Sequence, residues 1–362
     1  MKDFKRLGDY IRPVDVRNRD LKVTKLVGLT IEKAFIPSVA NVIGTDLSNY
    51  KVIRREQFAC SLMQVSRDGK IPVAMFEEDE AIMSPAYPMF EVVDKKVLLP
   101  QYLMMWFSRS EFDREASYYA VGGVRGSLTW EDFCNMKLPV PSIARQREIV
   151  AEYETLTNHI RLNEQMIEKL EATAQALYRK MFVDGVEKEN LPEGWRRGKL
   201  GDIIIPQKGR NIVREDCVAG MVPVIAGGKT PSCYHNQSNT KNPVVTISAS
   251  GANAGFVSLH FDKVWAADCS YIDIEMCPYL FFVYAMLIIN QEKLYSMQEG
   301  TGQPHIYPSH IMSLQTNVPS VDAMKEYHKQ IAPVFKEIEL KQQENEKLTE
   351  LQSLLLARMG KD

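Results

Sequence analysis

A chain of 362 residues, 45% apolar and 25% charged, has ordinary globular composition and length for two or three domains. No apolar run approaches the roughly 18 residues of a membrane span, and no apolar signal core follows the first charges, so membrane, secreted, collagen-like and disordered classes are excluded. The net charge of −2 excludes adhesion to nucleic acid through bulk charge, but not a DNA reader whose basic residues are placed locally. The six cysteines, Cys60, Cys134, Cys217, Cys233, Cys269 and Cys277, form no C-x-x-C pair. Reduced thiols in a cytoplasm are therefore expected, without structural zinc.

In chain order, the first feature is a basic stretch. Residues 2–25 carry Lys2, Lys5, Arg6, Arg12, Arg17, Arg19, Lys22 and Lys25 against four acids, which reads as a solvated loop or a local basic patch. Inside it stands Leu7-Gly-Asp9. The run Phe90–Val93 predicts a strand, and Leu99–Tyr118 predicts a helix before the Gly-rich loop Gly122-Gly-Val-Arg-Gly-Ser-Leu128. Val140-Pro-Ser142 then precedes a long helix. Its stripe is Ile149, Tyr153, Leu156, Ile160, Asn163, Ile167, Leu170, Ala174, Leu177 and Met181. Steps of three and four alternate, which is the seam of a coiled coil, and Asp184-Gly185 ends it.

The plan then repeats. Leu200-Gly-Asp202 recurs 193 residues after the first copy. Pro243–Ser248 and Ser270–Ile274 predict strands, and Cys277–Met297 predicts a helix containing the longest apolar run, Tyr279–Ile289. Gly300-Thr-Gly-Gln-Pro-His-Ile306 and Val318-Pro-Ser320 echo the first loop and junction 178 residues on. The closing helix carries Ile331, Val334, Ile338, Lys341, Asn345, Leu348, Leu355 and Met359, with Pro333 in its first turn or bending it. Two such stripes can bury each other. A pseudo-twofold relation between the halves favours an antiparallel pair over a parallel one, and the polar seam residues can fix its register.

Catalytic patterns are missing. Gly227-Gly-Lys-Thr230 lacks the first glycine of a phosphate loop, because that place is Pro223. Gly251-Ala-Asn-Ala-Gly255 lacks the third glycine of a dinucleotide turn. His305 and His310 have no H-E-x-x-H partner, and Asn242-Pro-Val-Val departs from the Asn-Pro-Pro-aromatic pattern of adenine methyltransferases. The chain reads as a binder.

Two variable parts, each with a Leu-Gly-Asp opening, a Val-Pro-Ser junction and a long helix, resemble the DNA-specificity subunit of type I restriction-modification systems. Pro141-Ser-Ile-Ala-Arg-Gln-Arg-Glu-Ile-Val150 is similar to that family's helix start. Leu191-Pro-Glu-Gly-Trp-Arg196 is similar to its opening of a second target-recognition domain. Val14–Leu21, Gly44–Lys51 and Met83–Tyr87 resemble one recurring recognition module, and Ala226–Asn236 with Ser250–Phe256 resembles another. One departure is the second helix start, where the Gln-x-x-Ile pattern is diluted to Val321-Asp-Ala-Met-Lys-Glu-Tyr-His.

The resemblance implies an α+β fold: two pseudo-repeated recognition domains, 1–143 and 184–320, and two spacer helices, 144–183 and 321–362, forming an antiparallel coiled coil. The expected seam is Ile149, Leu156, Ile160, Leu170, Leu177, Ile331, Ile338, Leu348 and Leu355. It also implies a cytoplasmic, non-catalytic subunit that reads an asymmetric bipartite site in double-stranded DNA. Its partners are two modification subunits using S-adenosylmethionine, and a motor-nuclease subunit using ATP and magnesium; no cofactor or metal is expected on this chain. Candidate DNA contacts in polar, Gly-rich loops are Arg67, Lys70 and Arg125 in the first half and Lys229, Asn236, Asn253 and Gln303 in the second. Solvated turns are the alternative for each. Tyr87, Tyr234 and His235 read equally as stacking groups or as packing. A two-headed protein-binding scaffold and a self-sufficient methyltransferase with a degenerate site are the competing readings.

Overall fold

The computed structural model describes all residues except 1–3, 39–43, 64, 122–125, 188–189, 301, 303 and 361–362. The chain forms two compact units, Met1–Arg161 with Asn345–Asp362, and Leu162–Glu344. Both are mixed α and β.

The repeated sequence markers acquire a structural meaning within each unit. In the first, strand Phe4–Arg6 pairs antiparallel with Lys137–Pro139, the strand that leads into the long helix Ile143–Phe182. The Leu-Gly-Asp motif is a single 3-10 turn, Leu7–Asp9, with Leu7 buried and its amide donating to the Met136 carbonyl at 2.8 Å. In the second, Arg196–Lys199 pairs with Gln315–Val318, which leads into the long helix Val321–Met359. Leu200–Asp202 forms the same turn, with the Leu200 amide on the Leu314 carbonyl at 2.9 Å. The opening motif and the junction are thus the two ends of one closing ribbon.

Around that ribbon the first unit builds a four-stranded antiparallel sheet in the order Ile11–Pro13, Met89–Val92, Phe58–Cys60, Val73–Met75. Phe58 and Phe90 stack at 5.0 Å beneath Phe107, which meets both edge-on. The helix expected over Leu99–Tyr118 is two helices, Pro100–Phe107 and Ser110–Ala120. Neither Pro nor Gly causes the break. Arg109 turns extended, and its buried guanidinium lies 4.1 Å from the Trp106 ring centre. Lys33, at φ 63° in the turn between Val27–Leu29 and Phe35–Pro37, forms a buried ion pair with Asp113 at 2.8 Å, tying that hairpin to the second helix.

The second unit has an antiparallel sheet, Gln207–Lys208, Cys269–Asp273, Val244–Ser248, Val257–His260, and a three-stranded sheet, Cys233–His235, Val222–Ile225, Trp265–Ala266. Its expected helix over Cys277–Met297 is also broken, into Leu280–Ile289 and Gln291–Ser296. Leu280–Ile289 buries nearly every side, which is why its sequence is apolar without a stripe. Cys217 and Cys233 are joined by a disulfide across 16 residues, a correction to the expectation of six thiols. Sequence spacing could not show this, because the approach is made by the Val224–Cys233 strand pairing and the turn at Arg214–Asp216. Cys60, Cys134, Cys269 and Cys277 are free.

The long helices run antiparallel in each unit. In the second, the Tyr327 hydroxyl donates to the Ala174 carbonyl at 2.9 Å, and Asn163 donates to Glu344 at 3.0 Å. In the first, Gln352 donates to the Thr157 hydroxyl at 2.7 Å, while Met359 joins the core cluster of Ile149 and Val150. Ile149, Ile331, Ile338 and Leu348 are buried; Leu156, Ile160, Leu170, Leu177 and Leu355 are half-buried. Tyr178, Tyr327 and Phe335 are buried as well, and Phe335 lies inside the core while Val334 is half-buried against it. The start of the first long helix is held by buried Gln146, which accepts from the Leu99 amide and donates to the Val97 and Pro141 carbonyls. At the matching place in the second stands buried Met324, so apolar packing replaces the polar lock and the diluted motif still starts a helix at Val321. That helix continues through Pro333, which therefore lies well inside it and not in its first turn.

Candidate nucleic-acid interface

Five of the N-terminal bases are paired with acids, and Arg19 donates to the Asn49 side chain at 2.8 Å. Arg6 pairs with Asp9 at 3.3 Å, Arg12 with Glu91 at 2.6 Å, Arg17 with Asp15 at 2.8 Å and Lys22 with Asp20 at 2.9 Å; Lys25 pairs with Glu78. The hydrogen bond from Arg17 holds the Asp15 carboxyl below its ordinary range. Most of the charge in this stretch is thus paired on a solvated surface.

The Gly-rich loop of the first unit returns onto the short helix Val65–Asp68. A side chain on Gly126, at φ +70°, would collide with the Ser66 hydroxyl, and the Leu128 amide donates to the Leu62 carbonyl at 2.8 Å. Arg67 and the described end of that loop therefore share one surface. Its guanidinium is held by the adjacent Asp68 at 2.6 and 3.0 Å. Lys70 is exposed. Tyr87 is half-buried against the cluster of Val27, Ile53 and Met89. Arg125 and Gln303 lie outside the described residues.

In the second unit three loops converge. Ala226–Pro231 is the tip of the hairpin between Val222–Ile225 and Cys233–His235 (residue ranges that place Lys229 at its apex). Gly227 lies so close to the next loop that a Cβ would come 2.7 Å from the Ser250 carbonyl oxygen, and its own carbonyl accepts from Ser248 at 3.1 Å and Asn253 at 3.4 Å. The third loop is bound by the Gly251 amide on the Pro304 carbonyl at 3.0 Å and the Ile306 amide on the Ala249 carbonyl at 2.9 Å. Lys229 and Asn253 thus belong to one cluster, with Lys229 lying 5.1 Å above the Phe256 ring. Tyr234 and Asn236 are exposed on the hairpin's second strand and just beyond it. His235 is buried, edge-on to Trp265 at 5.0 Å, and its Nδ1 accepts from the Val218 amide at 3.0 Å, so it packs the sheet.

The same unit contains a surface that the sequence reading did not single out. Gln207, Ser238, Asn239, Lys263 and Tyr271 line a polar cleft of about 510 Å³. Its signal is weak because these residues are scattered over 65 positions; the pairing of Gln207–Lys208 with Ser270–Tyr271 and the hydrogen bonds of Asn239 and Thr240 to Ala266 and Val264 collect them.

The family model described as type I restriction modification DNA specificity domain matches twice, over residues 64–172 and 192–350. No curated protein matches the chain significantly. The crystal structure of a type I restriction-modification S subunit from M. genitalium is similar over 99% of this chain and 96% of that chain, at 14% identity and a TM-score of 0.57. A structure described as the basis of complex assembly and conformational transition of the type I R-M system covers 99% and 97%, at 17% identity and a TM-score of 0.45. The HsdS subunit from Thermoanaerobacter tengcongensis covers 99% and 96%, at 16% identity and a TM-score of 0.37. Among the described residues, no helix is long and apolar enough to cross a membrane.

Proposed function

The chain belongs to the family of type I restriction-modification DNA specificity domains, and from that premise we propose that it reads an asymmetric, bipartite sequence in double-stranded DNA, one half with each unit. The observation that carries this is the double family match on a chain whose two copies present different loops. Arg67 and Lys70 flank the first unit's loop surface; Lys229, Asn253, Tyr234 and Asn236 occupy the second unit's hairpin and its neighbours. Lysine, arginine and asparagine are donors suited to guanine edges, adenine edges and phosphates, and different sets read different half-sites. Two unlike halves make an asymmetric target.

The chain itself is non-catalytic in this reading. It directs two modification subunits, which methylate adenine N6 from S-adenosylmethionine, and a motor-nuclease subunit that uses ATP and magnesium. A place for protein partners is supported by the first unit's helices, where Leu351 and Leu354 are 50% and 61% exposed beside Leu156 and Leu355. An apolar groove of that kind on a solvated helix pair suits a protein contact. Expression of the chain with its neighbouring modification gene in a host without adenine methylation tests the reading. Sequencing for N6-methyladenine should show one split motif with two different halves. No new motif, together with no duplex binding, would leave the scaffold reading in its place; S-adenosylmethionine binding by the pure chain would favour a self-sufficient methyltransferase.

A further inference from the structure

We infer that the edge Gln207–Arg210 and the cleft beside it grip the phosphate backbone of duplex DNA, a contact that rests on the DNA-reading function proposed above. The backbone of this edge is held rigidly. Gln207 and Lys208 pair with Tyr271 and Ser270, the Gly209 amide donates to the Cys269 carbonyl at 2.8 Å, and the Arg210 amide donates to Ala266 at 2.9 Å. Gly209 is required by the close approach, since a Cβ there would lie 2.3 Å from the Ala267 carbonyl oxygen. Trp265 donates its indole N–H to the Arg210 carbonyl at 2.8 Å. A strand edge pinned this way presents its cationic side chains without the ordering cost of a loose loop.

Those cations are held by no acid among the described residues, while the Arg210 guanidinium lies 6.0 Å from the Trp265 ring centre. Lys208, Arg210 and Lys263 are exposed, and among the described residues none has a carboxylate within ion-pair distance. The contrast with the first unit is sharp: Arg54, Arg55 and Lys95 there are held by Glu80, Asp79 and Glu56. Exposed acids do lie along the stretch, at Glu215, Asp216 and Asp262, but they make no ion pair with these three cations. Inside the cleft the acids are satisfied. Glu275 pairs with Lys241 at 3.4 Å, and buried Asp273 accepts from the amides of Lys241, Glu275 and Met276. What remains for a ligand in the cleft is Gln207, Ser238 and the Lys263 ammonium, with Lys208 and Arg210 on the adjoining strand. That is the donor set that meets phosphate oxygens. Point charges on lysine favour the sugar-phosphate backbone over base edges, so this surface should position the duplex and leave sequence choice to the hairpin loops.

The test uses the full chain, co-expressed with its modification subunits, on two duplexes, one with the methylated motif and one scrambled. Lys208→Gln, Arg210→Gln and Lys263→Gln are measured singly and together across a salt series, with thermal melting to check the fold. Each lost phosphate contact should make the slope of log affinity against log salt shallower by about 0.9, and the triple variant by about two to three. Both duplexes should weaken alike, so the preference for the motif persists. An unchanged slope in the triple variant overturns the inference while DNA reading stands. So does an equal change in Arg54→Gln, Arg55→Gln, Lys95→Gln, because bulk charge would then be the cause. If the unaltered protein shows no preference for the motif, the DNA-reading function itself fails and takes this inference with it.

Discussion

His260 shows how one side chain ties the second recognition unit to pH. It lies on the edge strand Val257–His260, with its Nε2 2.9 Å from the Thr246 hydroxyl, and burial pushes its imidazole down from 6.5 to about 4. Between those values the unfolded chain binds a proton that the folded chain refuses. Stability is therefore intact above pH 6.5 and falls as pH drops toward 4, by about 2 kcal/mol at pH 5. Urea unfolding at pH 7 and pH 5 measures this, and His260→Gln should remove that share of the loss; an equally steep drop in the variant would assign it to other groups. The candidate site was only partly legible at this scale. Arg67 and Lys229 are visible because they sit in Gly-rich sequence, but nothing in the sequence says that Asp68 holds Arg67. The bases of residues 2–25 look like a patch in sequence, but five of them are paired in space, two by Glu78 and Glu91 from distant parts of the chain. Gln207 and Lys263, by contrast, line one cleft only in the folded chain.

At the scale of elements, the long helices were readable because a seam repeated every seven residues survives without knowledge of its partner. What could not be read was the phase where a helix meets more than its twin. Steps of three and four from Ile331 admit Val334 or Phe335, and the choice is made by Leu280–Ile289, whose Phe281 ring stacks on Phe335 at 4.3 Å. Phe335→Ala should therefore cost about 3–5 kcal/mol, and Val334→Ala about 1 kcal/mol. Denaturant midpoints of the two variants decide it, and equal losses would mean that the face is misassigned. The short helices were joined in the sequence reading for a related reason. Periodicity carries through Ser108–Arg109, and only the packing of Arg109 on Trp106 and against the Gly360 backbone explains why the chain turns there.

For the whole molecule, the informative fact is that neither long helix belongs to one unit. The helix Ile143–Phe182 gives residues 143–161 to the first and 162–182 to the second, and Val321–Met359 is divided at 344/345 in the same way. The repeat in sequence is thus not a repeat of independent blocks, because each unit completes its core with the far end of the other copy's helix: Met359 in the first, Ala174 and Tyr178 in the second. If the chain reads a bipartite site as proposed, helices shared in this way would set the distance between half-sites. Inserting one heptad in each helix, at 161/162 and at 344/345, keeps the seam in phase because seven residues restore it. Each helix lengthens by about 10 Å, which matches about three base pairs at ~3.4 Å of rise. The methylated motif should keep both half-sequences and gain about three unspecified positions between them. Three base pairs also turn the second half-site by roughly 100° at 10–10.5 base pairs per turn, so affinity should fall even where the spacing fits. Insertion of four residues in each helix instead breaks the seam and should destabilise the protein more, despite the smaller change in length. Methylome sequencing of the heptad variant decides the matter: an active protein that still marks the original spacing would show that the helices do not measure the gap.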